Sequence, residues 1–322
     1  MISNLPVIDL HCDLLAYLRY NRAQHNSMQA DSRCSLPLLR EGGVKTQVLA
    51  VFTETQPHST LNAQEQIACY QEMLKKHSDW CASLSKLNEE SSRIHFSLAL
   101  ENASGLLEEE ESFEKLFQRF EAQDWLYVSL TWNEENRFGG GNATSVGLKQ
   151  DGELFLEYMD GKQVAIDLSH TSDALAHGIL NHIHKKSLKL IPIASHSNLR
   201  RVKDHPRNLP DELAKEIMRL GGVIGLNFVR HFVGDHPKDF IQHIEQALTI
   251  GGENHLCLGA DFFGGIPMPK IEHLRPFFQE SYSNSACYPR FLSFLETAFS
   301  MQQIQKIAHQ NAEAFFKRLR PL

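Results

Sequence analysis

The stretch VIDLHCD, residues 7–13, decides between two fold classes for this chain. Its β-branched and apolar residues predict a buried strand over Val7–Cys12. An open, doubly wound sheet that binds a dinucleotide would need a glycine-rich turn directly after such a strand. Here the strand runs into His11, Cys12 and Asp13 instead, which argues against that class. Strand side chains alternate sides, so His11 and Asp13 point one way and Cys12 the other.

Seven further short apolar runs follow the first, and segments with helical spacing lie between them. The predicted strands are Thr46–Phe52, His95–Glu101, Trp125–Trp132, Val164–His170, Leu190–His196, Val223–Phe228 and His255–Asp261. The predicted helices are Gln64–Leu84, Phe113–Phe120, Ala174–Ile183, Pro210–Leu220, Phe240–Leu248 and Pro289–Leu319. Several strands are continuously apolar, as strands buried on both faces are. The alternation predicts an α/β protein with a (β/α)8 barrel of the TIM type.

The chain shows no internal repeat, no low-complexity segment and no linker that would divide it. Its 322 residues suit one barrel with a helical tail, so we predict a single domain over residues 1–322. The glycine-rich stretch FGGGNATSVG, residues 138–147, is predicted to be a mobile loop on one rim of the barrel.

Charge and cysteine usage limit the partners and the compartment. The net charge is -7 with both signs interspersed, so there is no basic stripe for nucleic acid or an anionic membrane. The six cysteines form no C-x-x-C pair, which favours a reducing compartment. The first strand begins near Pro6, leaving no room for a signal peptide, and no window reaches the roughly 20 apolar residues of a membrane span. We therefore expect a cytoplasmic protein without a membrane or nucleic-acid partner.

Histidines and carboxylates stand at the ends of five predicted strands. They are His11 and Asp13 on the first, Glu101 on the third, His170 on the fifth, His196 on the sixth and Asp261 on the eighth. In a barrel these strand ends meet at the C-terminal rim, where barrel active sites are built. Taken singly, each residue could equally be a hydrogen-bonded core residue or a helix cap. Together, such buried groups are costly unless a cation compensates them.

The donor set predicts a pair of zinc ions. Imidazole nitrogens and carboxylate oxygens are the ligands of catalytic zinc, and six such groups exceed the needs of one ion. Two ions about 3.5–4 Å apart would use them. We assign His11 and Asp13 to one ion, His170 and His196 to the other, and Glu101 to both, because its strand lies between the two pairs. The barrel is thus of the metal-dependent hydrolase type.

Motifs along almost the whole chain resemble the membrane dipeptidase (renal dipeptidase) family of zinc peptidases. The most specific are DLSH at residues 167–170, SHS at 195–197 and HPRNLPD at 205–211. The resemblance implies the same five metal ligands and hydrolysis of the peptide bond of dipeptides. The hypothesis includes dipeptides with a D-residue at the C-terminal position. Members of the family often pair, which leaves room for a homodimer.

The resemblance also implies roles for residues near the ligands. Arg207 would bind the terminal carboxylate of the substrate, which a planar guanidinium suits through paired hydrogen bonds. Asp261 would move protons beside the metals and, with Glu101, form the catalytic pair. Vertebrate members carry a histidine where this chain has Trp132, whose indole can donate a hydrogen bond but cannot accept a proton. Trp132 and its neighbour Asn133 are expected to contact the substrate.

Two alternatives stay open at this point. The metal ligands alone would also suit another two-metal barrel hydrolase that acts on a cyclic amide, a lactone or a phosphoester. The motif HPRN argues against this alternative, because the role implied for Arg207 requires a free carboxylate in the substrate. A catalytically impaired metal-binding barrel is the second alternative, and Trp132 is the feature that favours it.

Overall fold

The computed structural model describes residues 5–86, 92–268 and 270–320. Within them lie the strands β1 (Val7–Cys12), β2 (Val44–Phe52), β3 (Cys81–Ser83), β4 (Ile94–Glu101), β5 (Trp125–Ser129), β6 (Ala165–Asp167), β7 (Pro192–Ile193), β8 (Ile224–Leu226) and β9 (Leu256–Leu258). All except β3 form one parallel sheet in the order β7-β6-β5-β4-β2-β1-β9-β8. Pairing between Ala194 and Ile224 joins β7 to β8 and closes the sheet. The predicted (β/α)8 barrel is confirmed.

Helices surround this barrel and follow the strands in sequence. They are α1 (Leu14–Tyr20), α2 (Leu36–Glu41), α3 (Ser59–Lys76), α4 (Glu114–Glu121), α5 (Gln150–Met159), α6 (Asp173–Lys186), α7 (Asp211–Arg219), α8 (Arg230–Val233), α9 (Pro237–Thr249), α10 (Tyr288–Leu295), α11 (Met301–Gln305) and α12 (Asn311–Leu319). A π-helical turn over Lys306–Gln310 joins α11 to α12. In the described part of the chain, none of the helices is both long enough and apolar enough to cross a membrane.

The apolar core has two layers. The larger lies between the strands and the surrounding helices, and the smaller fills the barrel with side chains such as Leu10 and Val48. Phe315 of α12 belongs to the inner layer. Asn311 at the start of α12 donates a hydrogen bond to the carbonyl of Leu256, the first residue of β9. Helix α12 therefore closes the N-terminal end of the barrel. The opposite, C-terminal end remains accessible for a functional site.

Two glycines allow a close backbone approach at that opposite end. A Cβ atom at Gly225 or at Gly259 would lie only 1.9 Å from the carbonyl oxygen of Ser195. No other residue fits such a contact without a shift of the backbone. Both glycines thus let the segment that carries Ser195 sit against β8 and β9.

The structure differs from the predicted elements in the long helices. The helix predicted over Gln64–Leu84 ends at Lys76 in α3, and Cys81–Ser83 forms β3. This strand pairs with β4 outside the barrel, a contact with distant residues that local spacing does not reveal. The tail predicted as one helix over Pro289–Leu319 is broken, because the side chain of Ser300 caps a new helix by accepting from the N–H of Gln303.

The glycine-rich stretch at residues 138–147 is hydrogen-bonded to neighbouring loops. Backbone N–H groups of Asn142 and Ala143 donate to the carbonyls of His170 and Asn133, both at 2.8 Å. A Cβ atom at Gly141 would lie 1.8 Å from the carbonyl oxygen of Trp132. The structure therefore buries residues 138–141 and leaves the rest of the stretch partly exposed, with its backbone hydrogen-bonded to the loops after β5 and β6.

Candidate metal centre and active site

The six histidines and carboxylates expected at the strand ends meet at the C-terminal mouth of the barrel. Three groups have ligand atoms that all lie within 4.8 Å of one another: His11 with Asp13 and Glu101, Glu101 with His170 and His196, and His11 with His196 and Asp261. The first two groups match the two halves of the predicted metal pair. The third places Asp261 within ligand distance as well.

Glu101 stands between the two halves. Its Oε2 lies 3.3 Å from Nε2 of His11, and its Oε1 lies 2.9 Å from Nε2 of His170 and 3.8 Å from Nε2 of His196. Each carboxylate oxygen thus faces a different set of imidazoles. A carboxylate in this position has the geometry needed to bridge two cations.

Each of the three imidazoles uses its Nδ1 atom for a hydrogen bond. The partners are the hydroxyl of Tyr127 for His11 at 2.8 Å, Oδ1 of Asn133 for His170 at 2.8 Å, and the hydroxyl of Ser195 for His196 at 2.7 Å. The hydroxyl of Tyr127 itself donates to the carbonyl of Leu10, so it accepts from His11. These partners favour a proton on Nδ1 and leave Nε2 free to bind a metal.

Several buried polar atoms of the cluster lack a hydrogen-bond donor or acceptor that would offset the free-energy cost of their burial. Nε2 of His11 and Oδ1 of Asp13 are buried and make no hydrogen bond. Nε2 of His170 and Nε2 of His196 lie 2.9 Å apart, so with both protons on Nδ1 the two lone pairs face each other, although that of His170 also accepts from Nη2 of Arg207 at 3.1 Å. A buried unpaired polar group costs about 1–3 kcal/mol. Divalent cations among these atoms would satisfy all of them, and the residues therefore fit a metal pair.

The charged groups of the cluster shift the pKa values of one another. Burial lowers the pKa of His11, but Glu101, Asp13 and Asp261 outweigh it and raise that pKa to about 10. Burial, with Arg207 adding to it, lowers the pKa of His170 to about 4. Burial raises the pKa of Asp261 to about 7 against the pull of His11. Three carboxylates crowded beside three imidazoles form an environment that a divalent cation would balance.

Two residues of the cluster have unusual backbone geometry. His170 has φ 67° and Asp261 has φ 61°, both in the left-handed region. Residues other than glycine seldom adopt this conformation, and it costs of order 1–3 kcal/mol when the surroundings impose it. The sharp turns place both side chains in the mouth just after β6 and β9.

Arg207 is a buried guanidinium at the edge of the cluster, only 5% exposed. Its Nη2 lies 3.1 Å from Nε2 of His170 and donates to the carbonyl of His196 at 3.3 Å, and its Nη1 lies 3.4 Å from the hydroxyl of Ser197. The Nε atom of Arg207 has no hydrogen-bond partner. The Arg207 guanidinium forms no ion pair within residues 5–86, 92–268 and 270–320. A buried guanidinium of this kind can bind an anion such as a carboxylate.

Asp261 is held by a residue that the sequence did not reveal. Nδ2 of Asn227, just after β8, donates to Oδ2 of Asp261 at 2.9 Å and to the carbonyl of His196 at 3.1 Å. Oδ1 of Asp261 points to the candidate metal ligands, 3.9 Å from Nε2 of His11. The sequence feature that could have indicated Asn227 is its place as a polar residue at the end of an apolar strand.

Trp132 and Asn133 both lie beside His170. The rings of Trp132 and His170 have centroids 5.9 Å apart, and those of Trp132 and Phe52 make a T-shaped contact with centroids 5.0 Å apart. Asn133 uses its side-chain oxygen on Nδ1 of His170. The structure thus gives Asn133 a supporting contact, and the substrate contacts expected of Trp132 and Asn133 stay predictions.

Comparison with known proteins identifies the family of the chain. The model of the membrane dipeptidase family, peptidase family M19, matches residues 1–319. An uncharacterised dipeptidase of Schizosaccharomyces pombe is 25% identical over 349 aligned positions, covering 98% of this chain and 81% of that protein.

Solved structures share the fold. A metallopeptidase from Rhodobacter sphaeroides, crystallised with a phosphinate mimic of the dipeptide L-Ala-D-Ala, superposes with a TM-score of 0.85 at 16% identity, covering 98% of this chain and 100% of that one. The dipeptidase AC, also a metallopeptidase, superposes with a TM-score of 0.85 at 18% identity, covering 98% of both chains. Since the family model spans nearly the whole sequence, the chain belongs to the membrane dipeptidase family of metallopeptidases, peptidase family M19.

Proposed function

We propose that this chain hydrolyses the peptide bond of dipeptides, including those with a D-residue at the C-terminal position, and that it does so with two zinc ions. The observation that carries the proposal is Arg207, a buried guanidinium that has no carboxylate partner among the described residues and lies 3.1 Å from Nε2 of His170. A substrate carboxylate bound there leaves the adjacent peptide bond beside the cluster. The L-Ala-D-Ala mimic bound by the Rhodobacter enzyme supports this substrate class.

The proposed ligands divide as the geometry of the cluster suggests. His11 and Asp13 would hold one ion, His170 and His196 the other, and Glu101 both, while Asp261 stays close to the pair. Zinc suits this set of nitrogen and oxygen donors. When bound, two such ions supply Lewis-acid chemistry and lower the pKa of a water molecule.

The side chains of the protein would perform the remaining steps. Arg207 binds the terminal carboxylate and fixes the substrate in one orientation, which lowers the entropic part of the barrier. Oδ1 of Asp261, held in place through Asn227, accepts the proton of the attacking water and delivers it to the leaving amine. Trp132, beside Phe52, forms an apolar wall against the substrate.

Replacing Asp261 with asparagine is expected to lower kcat about a hundredfold, since a positioned acid or base contributes roughly 10²–10⁴-fold. The KM for a dipeptide and the zinc content should change little, because the five proposed ligands remain. Steady-state kinetics and elemental analysis measure both. Asp173→Asn is the matched control, because Asp173 lies on the same rim but pairs with Arg200 outside the cluster. An unchanged kcat in Asp261→Asn would remove Asp261 from the mechanism.

The substrate class is tested with a panel of compounds and the purified chain. L-Ala-D-Ala, L-Ala-L-Ala, an N-acyl amino acid, a lactone and a phosphotriester are assayed before and after chelation, with zinc restored. We expect cleavage of the dipeptides, loss of activity on chelation, and two zinc atoms per active chain. Preference for the lactone or the phosphotriester would support the alternative barrel hydrolase. Full activity in a chain free of divalent ions would contradict the metal pair.

The compartment and the organisation of the chain complete the proposal. All six cysteines are buried and unpaired, which supports a cytoplasmic location. Side chains of α12 lie in the same inner layer as those of the strands, which supports one domain over the chain. The homodimer stays a prediction.

A further inference from the structure

We propose that Asp167 is a positioning residue for the metal centre, and that it acts through the hydroxyl of Ser195 to hold His196 in the form that binds a cation. This role rests on the proposed function in one respect only, namely that His196 binds a metal.

Asp167 is a fully buried carboxylate at the end of β6. Its Oδ1 accepts from the backbone N–H groups of Ser169 at 3.1 Å and Ser195 at 2.8 Å. Its Oδ2 accepts from the hydroxyls of Ser129 at 3.0 Å and Ser195 at 2.6 Å. It forms no ion pair with a basic side chain in the part of the chain that the structure describes. Burying a carboxylate with four hydrogen-bond donors and no cation beside it costs desolvation free energy, which packing alone does not explain.

The hydrogen bonds determine which way the protons point. The carboxylate of Asp167 can only accept, so the single proton of the Ser195 hydroxyl points to its Oδ2. The oxygen of that hydroxyl then accepts from Nδ1 of His196 at 2.7 Å. A proton on Nδ1 leaves the lone pair on Nε2, which faces Oε1 of Glu101 at 3.8 Å. A cation held there would in turn favour the charged form of Asp167.

The support of His196 differs from that of the other two imidazoles. His11 donates to the neutral hydroxyl of Tyr127, and His170 donates to the neutral side-chain amide of Asn133. Among these three supports, only the one through Ser195 ends in a carboxylate. Negative charge behind a histidine ligand raises its basicity and fixes its orientation. We infer that the ion held by His170 and His196 is the one whose affinity depends on Asp167.

Zinc affinity of Ser195→Ala and Ser129→Ala, measured by competition with a chromophoric chelator, tests this role. Both variants remove one hydroxyl that donates to Oδ2 of Asp167, but only Ser195 also contacts His196. In Ser195→Ala we expect one of the two zinc affinities to fall about 10–100-fold and the other to stay close to wild type. In Ser129→Ala both affinities should stay close to wild type. Urea unfolding of the metal-free variants should show similar losses of stability.

Asp167→Asn gives a second, independent measurement. Its amide NH₂ would donate to the hydroxyl of Ser195, which would then turn its own proton to Nδ1 of His196 and favour a proton on Nε2. A protonated Nε2 cannot bind a metal, so the loss of zinc affinity should be at least as large as in Ser195→Ala. A smaller loss would contradict the direction of the protons inferred here.

The outcomes separate this role from the proposed function. Equal zinc affinities in wild type and Ser195→Ala, or equal losses in Ser195→Ala and Ser129→Ala, would overturn the role of Asp167 and leave the metal pair intact. A wild-type chain that binds no divalent cation would overturn the metal pair and this role together.

Discussion

Replacing Glu101 with glutamine is expected to lower kcat/KM on dipeptides by at least about a thousandfold, the equivalent of several kcal/mol in the transition state. The two oxygens of Glu101 face opposite halves of the cluster, at 3.3 Å from His11 and 2.9 Å from His170. A glutamine of the same shape has one acceptor oxygen and no charge, so it can serve at most one half. The variant should therefore bind one zinc ion or none.

Elemental analysis and steady-state kinetics on the same preparation measure this effect. Glu108→Gln is the matched control, since Glu108 accepts hydrogen bonds from Thr60 away from the cluster. We expect it to keep two zinc ions and near-normal activity. A Glu101→Gln chain that keeps both ions and cleaves dipeptides at the wild-type rate would show that Glu101 does not bridge them.

Replacing Arg207 with alanine should lower kcat/KM for dipeptides with a free carboxylate by about 10²–10³-fold, because truncating one partner of a buried charge pair costs roughly 2–5 kcal/mol. The C-terminal amides of the same dipeptides lack the anion and should lose much less. Zinc binding should be retained, since the guanidinium lies against His170 and adds positive charge beside the ligands. Arg207→Lys should recover only part of the loss, because an ammonium cannot form the paired hydrogen bonds.

The comparison of acids with amides is the decisive measurement for Arg207. Arg201→Ala serves as the control, because Arg201 lies on the same loop but is exposed. It should leave both substrate types unaffected. Equal losses on acids and amides in Arg207→Ala would mean that the guanidinium supports the fold of the loop and does not anchor the substrate.

The sequence alone was sufficient to predict the barrel and to place the six candidate site residues together at one rim. Strand periodicity is a local property, and β1 was predicted with the bounds Val7–Cys12 that the structure gives. In a parallel barrel all strands end at one rim, so residues at strand ends become neighbours without knowledge of any side-chain contact. His11 and Glu101, 90 positions apart in sequence, could be placed together for this reason. The sequence did not predict the strand β3 or the break in the C-terminal helix. The first depends on pairing with β4, and the second depends on the helix cap at Ser300.

The tertiary structure decided the chemistry of the individual atoms. Which nitrogen of each imidazole is free depends on partners from other strands, such as Tyr127 behind His11 and Ser195 behind His196. Arg207 is buried, with no ion pair in the described part of the chain, because its loop packs against His170 and His196. Sequence spacing fixes where a strand ends, because backbone geometry repeats regularly. It does not fix side-chain hydrogen bonds, because these depend on contacts that form only when the barrel closes.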